Sequence, residues 1–244
     1  MKKFLIATMG ADFRRCAEKF DTGIEIDFFC MAENLDGRKY EGVSRELGKL
    51  IDSSGISGED MVLHAPFNEL HPAAIDPEAL RLARRRMEQA YHVCEDFGIR
   101  KMVVHSGYLP HVYFKSWHTE RSVEFWTDFM ADKPEDFVIC IENVLDDEPY
   151  MMRDMMEKIR EKGDNSNIGI CLDTGHLMSC LPTISEEDGI DRLLRIFDGY
   201  CGDLIDSIRD VHFHWSASYD YRRTFEEREL DCPVPKFIAD ANSH

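Results

Sequence analysis

Short apolar runs and longer amphipathic stretches alternate seven times along this chain of 244 residues. The apolar runs are rich in β-branched and aliphatic side chains, which is typical of strands buried on both faces. In the stretches between them, apolar residues recur at helical spacing, for example at Leu80, Met87, Tyr91 and Cys94. Strands that alternate with helices indicate an α/β fold with a parallel sheet and right-handed crossovers.

The same pattern predicts the individual elements. Seven strands are expected within residues 4–8, 22–29, 61–67, 101–107, 137–144, 168–176 and 210–215. Helices are expected within residues 14–20, 41–53, 76–98, 120–130, 149–161 and 188–208. The third helix has the clearest boundaries, because Asp76 can cap its start, Pro77 fits its first position and Gly98 can end it.

Two architectures fit this alternation, an open doubly wound sheet and a closed (β/α)8 barrel. The first strand is followed by Met-Gly-Ala-Asp-Phe at residues 9–13 and not by a glycine-rich phosphate turn. This weakens the case for a nucleotide-binding open sheet. Ligand-type side chains end many of the strands, as the ring of sites in a barrel requires. We therefore predict an α/β fold, a (β/α)8 TIM barrel with seven clear units and a degenerate or missing eighth strand.

The last part of the chain departs from this pattern. The sequence contains no proline- or glycine-rich linker, so residues 1–244 are expected to form one TIM-barrel domain with an atypical polar tail at residues 216–244. The barrel is left open, or residues 234–239 fill the gap weakly, or a partner chain covers the edge in a homo-oligomer. Because an exposed edge of a parallel sheet is an aggregation risk, some cover is expected.

Charge and composition narrow the class of protein. The 47 acidic and 29 basic residues give a net charge of −18, which opposes a nucleic-acid partner. No run approaches the ~20 apolar residues of a membrane span. Eight cysteines without a CxxC pair indicate free thiols in a reduced, cytoplasmic setting. The apolar run at residues 4–8 is interpreted as a strand and not as a signal peptide, because no small-residue cleavage site follows it.

Candidate chemistry lies at the strand ends. In a barrel the carboxyl ends of all strands open on one face, so side chains far apart in sequence converge there. Six such side chains are candidate metal ligands, namely His64, His105, Glu142, Asp173, His176 and His212. One strand-end histidine more often makes a structural hydrogen bond, but several convergent titratable groups indicate a site. Mixed nitrogen and oxygen ligands favour zinc, manganese, iron or cobalt over calcium or magnesium.

Five segments at these positions resemble the xylose-isomerase-like, or endonuclease IV-like, TIM-barrel superfamily. They are His64-Ala-Pro-Phe67, Val104-His-Ser-Gly107, Ile141-Glu-Asn143, Leu172-Asp-Thr-Gly-His176 and Val211-His212. The resemblance implies one to three divalent metals at the carboxyl face of the barrel. It implies that Glu142, Asp173 and His212 hold the metal common to the sugar isomerases and epimerases. It also implies that His64 and His105, with Glu142 bridging, match the additional site of the DNA-repair branch, and that His176 matches a ligand of that branch's third metal.

The chain departs from the superfamily pattern after the seventh strand. Residues 214–223 contain no Asp-x-His segment, so the partners of a third metal are missing there. The strand-eight glutamate has no clear counterpart, since Glu226, Glu227 and Glu229 lie in a charged stretch. Glu25 on the second strand is a weaker stand-in, and its alternative interpretation is an interior or loop-anchoring acid.

Three functions follow from these observations, and the first of them is preferred. The first is a metal-dependent isomerase or epimerase of a sugar or sugar phosphate, in which Glu142 moves a proton next to a carbonyl and the cofactor is zinc, manganese or cobalt. The second is a metal-dependent phosphodiester hydrolase of the endonuclease IV type. The third is a barrel that binds metal or ligand without turnover. Phe67, Trp117 and Trp215 are candidates for stacking on a sugar ring, although large apolar residues more often pack within the protein.

Overall fold

The protein is described by a computed structural model over residues 4–10, 12–146, 149–179 and 186–213. Within these ranges the chain forms seven strands: β1 (Leu5–Ala7), β2 (Gly23–Ile26), β3 (Met61–His64), β4 (Lys101–His105), β5 (Val138–Glu142), β6 (Ile168–Asp173) and β7 (Ile208–His212). Each strand pairs in parallel with the next one in the chain, so the order in the sheet is β1 to β7.

Helices follow the strands in the same ranges: α1 (Phe13–Phe20), α2 (Gly37–Ser54), α3 (Pro77–Phe97), α4 (Lys115–Met130), α5 (Pro149–Glu161), α6 (Thr174–Ser179) and α7 (Glu186–Asp203). The boundaries predicted for α3 are confirmed. The side chain of Asp76 accepts a hydrogen bond of 2.7 Å from the Glu78 backbone N–H, Pro77 occupies the first turn, and Gly98 ends the helix with a left-handed φ of 67°.

The strands bury side chains on both faces. Leu63, Met102 and Ile141 pack towards the helices in the main hydrophobic core. Neighbouring positions point the other way and form a separate, fully buried cluster of Val62, Val103, Cys140 and Cys171. Because no second layer covers this inner face among the described residues, the sheet buries the inner cluster by curling round it.

A polar contact inside the curl ties distant strands together. Lys101 on β4 and Asp210 on β7 are separated by two strands in the sheet. The Nζ of Lys101 nevertheless lies 3.2 Å from Oδ2 of Asp210 and donates a hydrogen bond of 2.9 Å to the Arg209 carbonyl. This contact is possible only in a strongly curved sheet, and it lies towards the amino ends of the strands.

The predicted barrel is confirmed as a curled sheet of seven parallel strands with helices between them. The described residues contain no eighth strand, and the sheet edges are β1 and β7. The predictions for residues 216–244 lie outside the described residues. None of the described helices is long and apolar enough to cross a membrane, and the six described cysteines are free.

Several helix boundaries differ from the prediction, and two of the differences have a physical reason. Helix α4 begins at Lys115 and not at residue 120, and no side chain caps its start, so the sequence carries no start signal there. Helix α6 was not predicted, because residues 168–176 were assigned to the sixth strand. It forms because Oδ1 of Asp173, at the end of β6, accepts a hydrogen bond of 2.7 Å from the His176 backbone N–H.

Candidate metal centre

The structure brings the six predicted ligands together at the carboxyl ends of the strands. They lie on five neighbouring strands and on the first turn of α6: His64, His105, Glu142, Asp173, His176 and His212. The strand register places His105 beside Glu142 and Asp173 beside His212. The curl of the sheet then brings the two pairs towards each other.

The carboxylate of Glu142 is the centre of the cluster and is fully buried. Its Oε2 lies 3.2 Å from Nε2 of His64 and 3.4 Å from Nε2 of His105. Its Oε1 lies 3.2 Å from Nδ1 of His176 and 3.5 Å from Nδ1 of His212. Each oxygen of one carboxylate therefore faces its own pair of imidazoles, which is the arrangement of a bridging ligand.

The cluster thus has two halves that share Glu142. We term His64, His105 and Glu142 the bihistidine half-site, and Glu142, Asp173 and His176 the aspartate half-site. In each half-site one donor atom per residue lies within 4.8 Å of the other two. His212 adjoins the aspartate half-site, because its Nδ1 lies 3.8 Å from Oδ2 of Asp173.

Asn143 organises the aspartate half-site. Its side-chain oxygen accepts a hydrogen bond of 2.8 Å from the Asp173 backbone N–H, and its side-chain nitrogen donates one of 3.0 Å to the Asp173 carbonyl. Nδ1 of His176 lies 2.9 Å from the backbone carbonyl of Asn143, so an N–H at Nδ1 can donate to it, and Nε2 is then the nitrogen of this ring that can bind an ion. This role was missed from the sequence, where Asn143 counted only as part of a motif. Its position directly after a strand-end glutamate was the available signal.

Glu25 on β2 also reaches the cluster. Its Oε1 lies 3.2 Å from Nε2 of His212, the nitrogen that points away from Glu142. Burial raises the pKa of Glu25 to about 7, and the attraction of His212 lowers it by less. From the sequence alone Glu25 was only a weak candidate for the missing strand-eight glutamate, because nothing in a linear pattern shows that β2 and β7 face each other across the curled sheet.

Burial and charge set the protonation of the cluster. Burial opposes ionisation of Glu142, but contacts with the surrounding histidines, first His176, hold its pKa well below the ordinary value. Burial raises the pKa of Asp173 to about 6, partly offset by His176. Burial lowers the pKa of His105 to about 3, so this imidazole stays neutral. For His212 burial is outweighed by Glu142 and Glu25, which raise its pKa to about 9.

These residues fit a divalent transition metal. The buried Oε1 of Glu142 receives no well-aligned hydrogen bond from any described residue, and a bound cation would satisfy it. Imidazole nitrogens and carboxylate oxygens are the donors that zinc, manganese and cobalt accept together. The hydrogen bond from His64 to the Ala65 carbonyl, 2.9 Å from Nδ1, leaves its Nε2 available as a ligand.

The predicted stacking residues have different surroundings. Phe67 is half-buried, and its ring lies parallel to that of His105 with a centroid distance of 4.2 Å. Trp117 lies in the first turn of α4 and not in a loop, because that helix begins earlier than predicted. Its indole N–H donates a hydrogen bond of 3.1 Å to the Ala73 carbonyl, and the guanidinium of Arg121 lies 4.7 Å from its ring centroid. Trp215 and the three glutamates at 226, 227 and 229 lie outside the described residues.

Comparison with known proteins agrees with this fold. A family model for the xylose isomerase-like TIM barrel matches residues 15–227. A D-tagatose 3-epimerase-like protein superposes with a TM-score of 0.56 and 22% identity, over 88% of this chain and 76% of that one. Endonuclease IV from Thermus thermophilus superposes with a TM-score of 0.52 and 18% identity, over 86% of this chain and 74% of that one. The 3-keto-D-glucoside 4-epimerase from E. coli superposes with a TM-score of 0.52 and 15% identity, over 87% of this chain and 76% of that one.

Identities this low establish a shared fold and leave the substrate open. The chain matches no curated protein sequence. The family model spans most of the chain, including all six clustered side chains. The chain therefore belongs to the xylose isomerase-like TIM barrel family.

Proposed function

We propose that this protein is a metal-dependent isomerase or epimerase that acts on a sugar or sugar phosphate by proton transfer next to a carbonyl. The observation that carries the proposal is a pair of carboxylates on the two sides of one imidazole. Glu142 lies 3.5 Å from Nδ1 of His212, and Glu25 lies 3.2 Å from its Nε2. Their pKa values move in opposite directions, and such a split is a mark of acid and base roles.

The metal ligands in this proposal are Glu142, Asp173 and His212, with His176 beside them. When bound, the ion supplies Lewis acidity, which polarises the carbonyl and hydroxyl oxygens of the substrate. An N–H at Nε2 of His212 faces Glu25, which leaves Nδ1 directed at Glu142 and Asp173. Asn143 fixes the position of Asp173 through two backbone hydrogen bonds, so the ligand geometry is set before any ion enters.

Proton transfer requires a group that changes charge near neutral pH. Glu25 meets this condition, because its pKa is raised to about 7 by burial. It can take a proton from the carbon next to the carbonyl and return it to the neighbouring atom, whereas delivery of a proton to the opposite face requires a second acid–base group on the other side of that carbon. Glu142 stays ionised, so it stabilises positive charge throughout and is itself the second candidate base. Phe67 offers a half-buried aromatic face at the mouth, which suits the apolar face of a sugar ring.

Isotope exchange tests this proposal. Metal-loaded protein is incubated in deuterated water with a panel of ketoses, aldoses and their phosphates, and deuterium in the recovered sugar is measured by NMR. We expect incorporation next to the carbonyl in at least one sugar. Glu25→Gln should keep its metal and lose the exchange, whereas Glu142→Gln should lose both. Absence of deuterium across the whole panel with metal-loaded wild-type protein would reject the proposal.

A second candidate function rests on the bihistidine half-site. His64 and His105 add two nitrogen donors to Oε2 of Glu142, and two ions bridged by a carboxylate suit the hydrolysis of a phosphate ester. The net charge of −18 opposes a long nucleic-acid substrate. Cleavage of an abasic-site duplex by the zinc-loaded protein, lost in His105→Ala, would replace the isomerase with this hydrolase. Intact duplex after prolonged incubation would remove it.

A further inference from the structure

One histidine of the two half-sites, His105, is held by different means from His64 and His176. In the aspartate half-site His176 is fixed through Nδ1, which lies 2.9 Å from the Asn143 carbonyl. In the bihistidine half-site His64 is fixed in the same way, with Nδ1 2.9 Å from the Ala65 carbonyl. No described residue forms a hydrogen bond with either ring nitrogen of His105, whose polar contact is the 3.4 Å approach to Glu142. Something other than hydrogen bonding must set the plane of that ring.

Aromatic contacts surround His105 instead. Phe67 lies almost parallel to it, with a centroid distance of 4.2 Å and an angle of 13° between the planes. The same phenyl ring meets His64 edge-on at a centroid distance of 5.5 Å and an angle of 73°. Phe67 therefore touches both imidazoles of the bihistidine half-site. Its backbone follows directly from β3 through Ala65 and Pro66, both buried, so the segment that carries the ring is anchored in the fold.

We infer that Phe67 is a positioning residue, which fixes the ring of His105 by stacking so that its Nε2 faces Oε2 of Glu142. The inference rests on metal binding by these residues, which is part of the proposed function. It gives Phe67 a role different from substrate stacking. An imidazole whose plane is fixed before binding loses less rotational freedom when it coordinates an ion. Hydrogen-bonding partners that orient a metal-ligating histidine change metal affinity by about 10- to 100-fold when they are mutated, and we expect an effect in the same range from a stacked ring that does the same.

Metal titration of matched variants tests the inference. Metal-free wild type, Phe67→Leu and Phe67→Tyr are titrated with Co²⁺ by absorption and with Zn²⁺ by calorimetry. Tyr113→Leu is the control, because Tyr113 is a half-buried ring in the next loop whose aromatic neighbours among the described residues are His71 and His118. We expect Phe67→Leu to weaken one of two binding events about 10-fold or more, while the other event is unchanged. Phe67→Tyr, which keeps the ring, and Tyr113→Leu should both match wild type.

Two results would overturn the inference. One is a Phe67→Leu variant whose two metal-binding events have the same affinities as in wild type. The other is a Phe67→Tyr variant that is weakened as much as Phe67→Leu, since the stacked face would then not be the cause. Thermal unfolding of each variant separates these results from a loss of fold.

A metal-free measurement keeps this test separate from the proposed function. In the NMR spectrum of the metal-free wild type, the ring protons of His105 should be shifted upfield by the stacked phenyl and give one set of signals. In Phe67→Leu they should move downfield and broaden, while the signals of His64 stay sharp. If wild type binds no metal, the proposed function fails and this spectrum still decides the role of Phe67. Unchanged His105 signals in Phe67→Leu would reject it.

Discussion

Replacement of Asn143 by leucine should remove the side-chain hydrogen bonds that hold Asp173 in the aspartate half-site. Asn143 and Asp173 are both at least 99% buried, and the asparagine side chain makes two hydrogen bonds with the Asp173 backbone. Leucine has a similar volume, so the change leaves little cavity. It removes the hydrogen-bond partners of the buried backbone N–H and carbonyl of Asp173. Each unsatisfied group costs about 1–3 kcal/mol, so we expect a loss of about 2–6 kcal/mol in the free energy of unfolding.

Urea unfolding of the metal-free protein measures this loss. Asn165→Leu is the matched control, because Asn165 is only half-buried and its side chain donates to the Ile159 carbonyl, outside the cluster. That control should lose about 1 kcal/mol and bind metal as wild type does. Asn143→Leu should also bind metal more weakly, since Asp173 is no longer held in place. A variant within about 1 kcal/mol of wild type would show that the Asn143 bonds are not what orders the end of β6.

Three further outcomes are expected. Lys101→Met should destabilise the protein by about 3 kcal/mol in urea, because Asp210 is left charged and mostly buried, and an added Asp210→Leu should restore much of the loss. Burial lowers the pKa of His118 to about 4, so the folded state resists a proton that the unfolded chain accepts below about pH 6.5. The free energy of unfolding should therefore fall by about 3 kcal/mol more between about pH 6.5 and pH 4 in wild type than in His118→Gln. Elemental mass spectrometry should find metal in the wild-type protein, loaded with zinc, manganese or cobalt, and little in Asp173→Ala. Equal metal in both would exclude the aspartate half-site as the binding position.

The sequence was sufficient for the strands and for the set of clustered side chains. Parallel strands place their carboxyl ends on one edge, so His105 and Glu142 had to be neighbours once β4 and β5 were assigned. The two carboxylate oxygens of Glu142 face different pairs of histidines, and this arrangement depends on how far the sheet curls. No linear sequence pattern encodes that curvature. The same holds for Glu25, whose partner lies on β7. Helix α6 depends on a cap from Asp173, a residue that the sequence suggested only as a ligand.

The shared carboxylate of Glu142 has a consequence for how the protein responds to metal supply. Two ions that use the two oxygens of one side chain cannot bind independently. A first ion would fix the carboxylate and bring its own positive charge, so preorganisation and repulsion would act on a second ion in opposite directions. Thermodynamic linkage requires that each ion changes the affinity of the other by the same factor. A metal content measured at a single concentration therefore reports a joint occupancy, and only a full titration separates the two affinities from their coupling.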